Sequence, residues 1–479
     1  MTTPEEKPES TVSPAADDGS QSHDPDRPEA LLAFMATGWA ERTEELPPQD
    51  AGAPYRRVRR EALARRFPGE RLVVPTGRYS RRSNDTDYPF RPGTEFAHLV
   101  GGHEPDAVLV VEPGGGSTLY EAPVLDRSTP AFFTDRVYGE LWVGTRPSLA
   151  AESSRLGIEV RPLEELERLS GRARVLQGLD DRVAGRFATD TEADAELRQF
   201  LAELRLVKDE HEVAQLQQAV DATIRGFEDV VRQLDAARAT SERWIEGVFG
   251  LRARVEGNDV GYGSICAAGA HACILHWTDN DGPVRDGQLV LLDMGVEGPE
   301  LYTADVTRTL PVSGTFTPRQ REVYQLVRAA QQAGVEAVKP GADFLDPHRA
   351  AMQVLAHGLE RLGVLEDAEA ALEEDAQLYR RYTLHGSSHM LGIDVHDCAA
   401  AREEHYKKGP LEVGHVLTVE PGLYFQPDDL TVPADLRGLG VRIEDDVLVT
   451  ADGHRNLSAA LPRDPHEIEE WMARLTAAS

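Results

Sequence analysis

The stretch LVLLDMGVEGPELYTADVTRTLPV, Leu289 to Val312, decides how the second half of this chain folds. Two runs rich in Leu, Val and Thr flank Gly298-Pro299, which reads as a β-hairpin folded at that dipeptide. Asp293 and Asp305 stand nearly equidistant from the turn, so antiparallel pairing is expected to set them opposite one another on one face. Their neighbours are mostly Leu, Met and Val. Two like charges facing each other in apolar surroundings repel, and they are costly to desolvate unless a cation sits between them. The bland alternative is that one Asp caps a loop or faces water.

Further carboxylates and histidines lie on either side of similar apolar runs. VRIEDDVLVT, Val441 to Thr450, reads as one strand with Arg442, Glu444 and Asp446 on one side. Arg442 is then expected beside Glu444, able to orient a carboxylate that a metal also uses. GHVLTVEPGLYF places Glu420 at the end of a strand, with Pro421-Gly422 forcing a turn. HGSSHMLGIDVHD carries His385, His389 and His396. The spacing of the first two imitates HExxH, but the Glu is absent and Gly386 discourages a helix, so a zinc-protease helix is a poor reading. A lone His is usually structural; three of the chain's fifteen within twelve residues point to function. His276, in ILHWTDND, joins them by context alone.

At 479 residues the chain exceeds what one hydrophobic core usually supports, so two domains are expected. Lys+Arg 51 against Asp+Glu 82 gives a net charge of −31, which argues against nucleic acid or an anionic membrane as partner. Cys266, Cys273 and Cys398 show no metal-type spacing and leave one over, which fits a reduced, cytoplasmic protein. No run approaches the roughly 20 apolar residues of a membrane span. Residues 1–27, rich in Pro, Ser, Asp and Glu, have no apolar signal core and read as a disordered acidic tail. Residues 28–190 alternate helix and strand, with buried strands in RLVVPTG and DAVLVVEPGGG and a helix end in LEELERLSG. A charged, Ala-rich stretch then reads as two helices joined near Lys208, the boundary of a second domain over 191–479. That domain mixes amphipathic helices with strands expected to pair mainly antiparallel, an α+β arrangement.

The ordered motifs LLDMG, TADVTRTLPVSGTFT, HGSSHMLGIDVHD, TVEPGLYF and RGLGVRIEDDVLVT together resemble the pita-bread metallopeptidases, most closely the aminopeptidase P (Xaa-Pro aminopeptidase) family. RSNDTDYPFRPGTEFAHLVGGHEPDAVLVV is similar to that family's creatinase-like α/β N-terminal domain. The resemblance implies that Asp293 chelates one divalent ion and that His389 and Glu420 bind a second, with Asp305 and Glu444 bridging. Four carboxylates and one imidazole suit Mn²⁺, with Zn²⁺ or Co²⁺ as alternatives. It further implies release of the N-terminal residue from peptides with proline second, by attack of a metal-bridging hydroxide. Glu420 would shuttle the proton, His276 and His396 would contact substrate, His385 would line the proline pocket and Arg442 would hold the bridging carboxylates. The resemblance also implies that the chain assembles as a homodimer or homotetramer. One departure stands out: TEFAHLVGG carries Ala97 and His98 where the family often has aromatic residues. Prolidase, restricted to Xaa-Pro dipeptides, and a metal-free peptide-binding relative remain the competing readings.

Overall fold

In the first half, two short apolar runs flanked by Pro or Gly become the inner strands of a sheet. The computed structural model describes residues 26–477; the acidic tail expected over residues 1–27 lies almost wholly outside them. Strands Leu72–Pro75 and Val108–Val111 are fully buried and pair antiparallel. Ser117–Glu121 extends the sheet antiparallel, while the edge strands Glu159–Pro162 and Arg174–Val175 add in parallel. Helices Ala53–Arg66 and Thr94–Val100 cover one face through Leu63, Phe96 and Leu99. The helix end read in LEELERLSG is a single 3₁₀ stretch, Leu163–Arg168.

Helices Thr191–Leu204 and Glu210–Arg232 meet around Lys208, as their sequence periodicity predicts. Asp190 caps the first, and Asp209 with Glu212 forms a reciprocal capping box on the second. Beyond this joint every strand pairing is antiparallel. One sheet orders Val306–Pro311, Leu289–Met294 and Ile265–Ala268; another orders Val416–Val419, Asp445–Thr450 and Gly453–Asn456. Helices Glu210–Arg232, Glu242–Glu256, Pro318–Ala337 and Asp346–Arg361 pack around these sheets. Phe227, Phe249, Tyr324, Leu355 and Phe425 share their largest core.

Two local expectations change. The hairpin turns over Gly298–Leu301, where Leu301 N–H bonds the Gly298 carbonyl and Leu301 takes a left-handed φ of 73°. The turn is therefore wider than the Gly-Pro dipeptide, and Asp293 faces Thr307, not Asp305. Asp305 lies two residues before Thr307, just ahead of the strand, and alternation keeps it on the face of Thr307.

VRIEDDVLVT is likewise not one strand. Gly440–Arg442 pairs with Gly422–Tyr424 and Asp445–Thr450 pairs with Val416–Val419, in one continuous register. Both partners are interrupted at the same level, so Glu420 faces Glu444 across the gap. Pro421 has no N–H to continue the ladder, and Glu444 N–H instead bonds the Thr307 carbonyl on the hairpin. The interruption is where the two sheets join.

Candidate metal centre and active site

Each candidate ligand is placed by one of these junctions. Asp293 lies near the end of its strand and Asp305 just before the returning one. Glu420 and Glu444 occupy the paired interruption. His389 belongs to an extended segment running beside Val416–Glu420: Thr418 N–H bonds the His389 carbonyl and Glu420 N–H bonds the Ser387 carbonyl. Gly386 thus opens an extended segment, and no helix forms.

The side chains converge. Oxygens of Asp305 and Glu444 and a nitrogen of His389 all lie within 4.8 Å of one another. His389 Nε2 is 3.3 Å from Asp305 and 3.6 Å from Glu420. Its Nδ1 faces the Met390 carbonyl at 3.2 Å, which fixes Nδ1 as the protonated nitrogen of the neutral ring and leaves Nε2 for a cation. Tyr262 donates from its single hydroxyl toward Asp293 Oδ1 at 2.7 Å and Asp305 Oδ1 at 2.6 Å.

Arg442 behaves differently from its expected role. Its guanidinium bonds Asp293 and Tyr424 directly and reaches Thr307 Oγ1 at 3.3 Å. Thr307 in turn donates to Glu444 at 2.6 Å, so Arg442 reaches Glu444 by hydrogen bonds through Thr307 and otherwise by the attraction of their charges. The cause is the break at Ile443–Glu444, which ends the alternation that would have set Arg442 beside Glu444.

Burial and mutual repulsion push Glu444, Asp293 and Glu420 toward their neutral forms. Glu444 is held well above the usual carboxylate range by burial and by Asp305, Glu420 and Asp293. Burial raises Asp293 against the pull of Arg442, and lifts Glu420 to about 7 against the pull of His389. Asp446, directly behind, accepts Asp305 N–H and is raised well above its ordinary range by burial and by Asp305. Burial would lower His389, but its bond to Asp305 and the charge of Glu420 carry it to about 9. Such a concentration of buried negative charge is stable in ionised form only with cations among it. The donor set fits divalent metal ions.

A cavity of about 650 Å³ opens on these residues and is also lined by His276, His385 and His396. Glu242 fixes the segment carrying His276: it accepts from Ala268 N, Gly282 N and Trp277 Nε1, at 2.7, 2.7 and 2.9 Å. His385 lies 2.8 Å from both the Gly386 carbonyl and the Tyr424 hydroxyl, and burial with Arg442 nearby depresses it to about 3. It is a neutral ring. The His396 ring stands edge-on to His389 at 4.5 Å, and burial and that neighbour's charge lower it. All the candidate residues therefore meet at one cavity.

Sequence reasoning missed Tyr262, Thr307, Tyr424 and Asp446 as parts of this network. Only Asp446 carried a signal, since it shares a side with Glu444 in the alternation. His98 and Ala97 are not at the cavity: His98 is buried 3.3 Å from Glu212, and Ala97 packs against Leu216 and Val220. They join the two halves of the molecule.

The profile of metallopeptidase family M24 matches residues 214–451, and that of the aminopeptidase P N-terminal domain matches residues 56–175. The Xaa-Pro aminopeptidase 1 of Streptomyces coelicolor is 56% identical over 456 residues, covering 93% of this chain and 92% of the relative. The Xaa-Pro aminopeptidase of Escherichia coli is 33% identical over 444 residues, covering 86% and 96%. The solved structure of aminopeptidase P from E. coli with the inhibitor Pro-Leu matches with a TM-score of 0.78 at 30% identity, over 90% of this chain and all of that one. The chain belongs to metallopeptidase family M24. Within that family its N-terminal match and its full-length relatives set it in the aminopeptidase P group, with a pita-bread catalytic domain behind a creatinase-like one.

Proposed function

We propose that this metallopeptidase removes the first residue from peptides whose second residue is proline, using two divalent ions, Mn²⁺ first among them. What carries the reading is the convergence of Asp293, Asp305, His389, Glu420 and Glu444 on a cavity that also presents three histidines. Asp293 would hold one ion, His389 and Glu420 the other, and Asp305 and Glu444 both. Held there, such ions would supply a nucleophilic water at neutral pH and would polarise the scissile carbonyl.

The chain's own residues do the rest. Glu420, buried at the cavity, takes a proton and returns it to the leaving proline nitrogen. His276 and His396 contact the peptide and steady negative charge on the carbonyl oxygen. His385, kept neutral beside Tyr424, lines the pocket for the proline ring. Arg442 secures Asp293 directly and Glu444 through Thr307. Proline has no N–H and a fixed φ, so the site must accept a bent imide at the second position. Among the described residues no helix is long and apolar enough to cross a membrane; the reading places the enzyme in the cytoplasm as a homodimer or homotetramer.

Rates on Xaa-Pro, Xaa-Pro-Yaa and Xaa-Ala-Yaa, each with Mn²⁺, Zn²⁺ and Co²⁺, test it. Cleavage of Xaa-Pro-Yaa with Mn²⁺ is expected. Turnover of dipeptides alone would make the enzyme a prolidase, and no turnover with any metal would remove the peptidase reading.

A further inference from the structure

The first half of the chain holds a second group of metal-type donors, outside the cavity described above. His103 follows helix Thr94–Val100, Glu121 ends strand Ser117–Glu121, and Glu152 lies in helix Leu149–Leu156. One ligand atom from each lies within 4.8 Å of the others, the same closeness shown by Asp305, His389 and Glu444. The three side chains are 6%, 7% and 5% exposed, so water does little to screen them. They line a cavity of about 220 Å³, which gives an ion a way in.

Two observations set this group apart from an ordinary ion pair. His103 Nε2 stands 2.7 Å from Glu121 Oε2, yet it is buried without forming a hydrogen bond, because the alignment is wrong for one. Two ligands of one tetrahedral ion stand about 3.3 Å apart, so an ion entering here would part this misaligned pair by only about half an ångström. The arginines around the cavity, moreover, leave Glu121 to His103. Arg146 bonds Glu104 and the carbonyls of Ala122 and Pro123. Arg155 bonds Glu152 and Asp50. Among the described residues neither pairs with Glu121.

We propose that His103, Glu121 and Glu152 bind one divalent transition-metal ion, with Zn²⁺ the best match to one imidazole and two carboxylates. Three protein ligands leave a position open to water. Each Glu152 oxygen has a second lone pair, so Arg155 can hold the carboxylate while an ion uses it, as Arg442 holds Asp293. Phe96 lies parallel to the His103 ring at 6.0 Å and restrains its tilt. The ion would tie the strand, the loop and the helix of the N-terminal domain together, a structural role separate from turnover.

The test uses the untagged full-length chain carrying Asp305→Asn and His389→Ala, which disables the cavity of the C-terminal half. After chelation, reloading with Zn²⁺ and desalting, the bound metal is counted by mass spectrometry. A retained content of about one ion per chain is expected, falling to near zero when His103→Ala is added. On the otherwise native chain, His103→Ala should lower metal content by about one ion and leave activity on Xaa-Pro-Yaa intact. Should His103→Ala fail to fold, Glu121→Gln keeps the shape and should weaken Zn²⁺ binding at least about 10-fold. Equal metal content with and without His103, or unchanged affinity in Glu121→Gln, would overturn the proposal.

Discussion

Asp305 stands in the middle of the proposed centre: Tyr262 donates to it, His389 Nε2 faces it, and Asp446 receives its N–H. Asp305→Asn keeps the shape and removes the charge, so kcat should fall at least about 10³-fold with the melting temperature of the metal-free protein little changed. Circular dichroism melts beside steady-state rates separate the two effects; retained activity would remove Asp305 from a shared position. The raised carboxylates yield a second expectation. Glu444 and Glu420 bind protons more tightly folded than unfolded. Their contribution to the stability of the metal-free protein is full below the unfolded value of about 4.3 and fades as pH rises toward 7. Cations and protons compete for the same oxygens, so Mn²⁺ should raise the melting temperature more at pH 7.5 than at pH 5. An equal rise at both would mean that the ions bind elsewhere. The residues legible in the sequence were those whose chemistry contrasts with an apolar run: Asp293, Glu420 and Glu444 stand out in that way. Tyr262 and Thr307 do not, because a Tyr between glycines and a Thr in a β-strand are ordinary in their local setting. Their roles exist only through partners brought in from other strands.

At the level of elements, the working device is the paired interruption at Glu420 and Glu444. Regular strands would have carried both side chains past each other on a pleated face, with no room for ions between them. Pro421 ends the ladder on one side, and Thr307 takes over the freed backbone and side chain of Glu444 on the other. Thr307→Val is nearly the same shape but leaves Glu444 Oε2 and Arg442 Nε without that hydroxyl. A loss of about 1–3 kcal/mol of stability is expected, together with a larger drop in kcat than in 1/KM, since geometry at the reacting centre is disturbed. A denaturant titration and a rate-against-substrate curve check both parts; a rise in KM alone would assign Thr307 to substrate binding. Strand existence, helix pairing around Lys208 and the capping box at Asp209 were readable because each rests on local periodicity or a four-residue signature. The register of the hairpin was not. Moving the centre of the turn one residue, from Pro299 to Glu300, shifts every cross-strand partner by two, and nothing in GPEL separates a two-residue from a longer connection before the backbone is seen.

Across the whole molecule, the connector between the two halves reaches the catalytic cavity. Arg205 and Lys208 follow helix Thr191–Leu204, and both are buried against Asp397, the residue after His396. Arg205 Nε donates to Asp397 at 2.9 Å, and Asp397 N–H bonds the carbonyl of Met390, next to His389. Gly392 leaves the space: a Cβ there would stand 2.1 Å from Asp397 Oδ2. Despite burial, the charges of Arg205 and Lys208 hold Asp397 below its ordinary value. A carboxylate depressed in the folded state contributes stability that is present above its unfolded value of about 3.9 and is lost as pH falls through the folded value. Asp397→Asn removes that contribution and leaves buried Lys208 without a carboxylate and Arg205 with Glu95 alone, which should cost about 3 kcal/mol at pH 7. The gap between the native chain and the variant should be constant from neutral pH down to about pH 4 and should narrow below it. Because His396 hangs from the same short segment, the variant should also lose kcat/KM on Xaa-Pro-Yaa, and Arg205→Met should lose it too although Arg205 does not line the cavity. Melts across pH 3–8 with rates on both variants decide the matter. A stability loss in Arg205→Met with kcat/KM unchanged would make the connector a fastening between domains and nothing more. Loss of both would make the way the N-terminal half is attached part of how the catalytic loop is held.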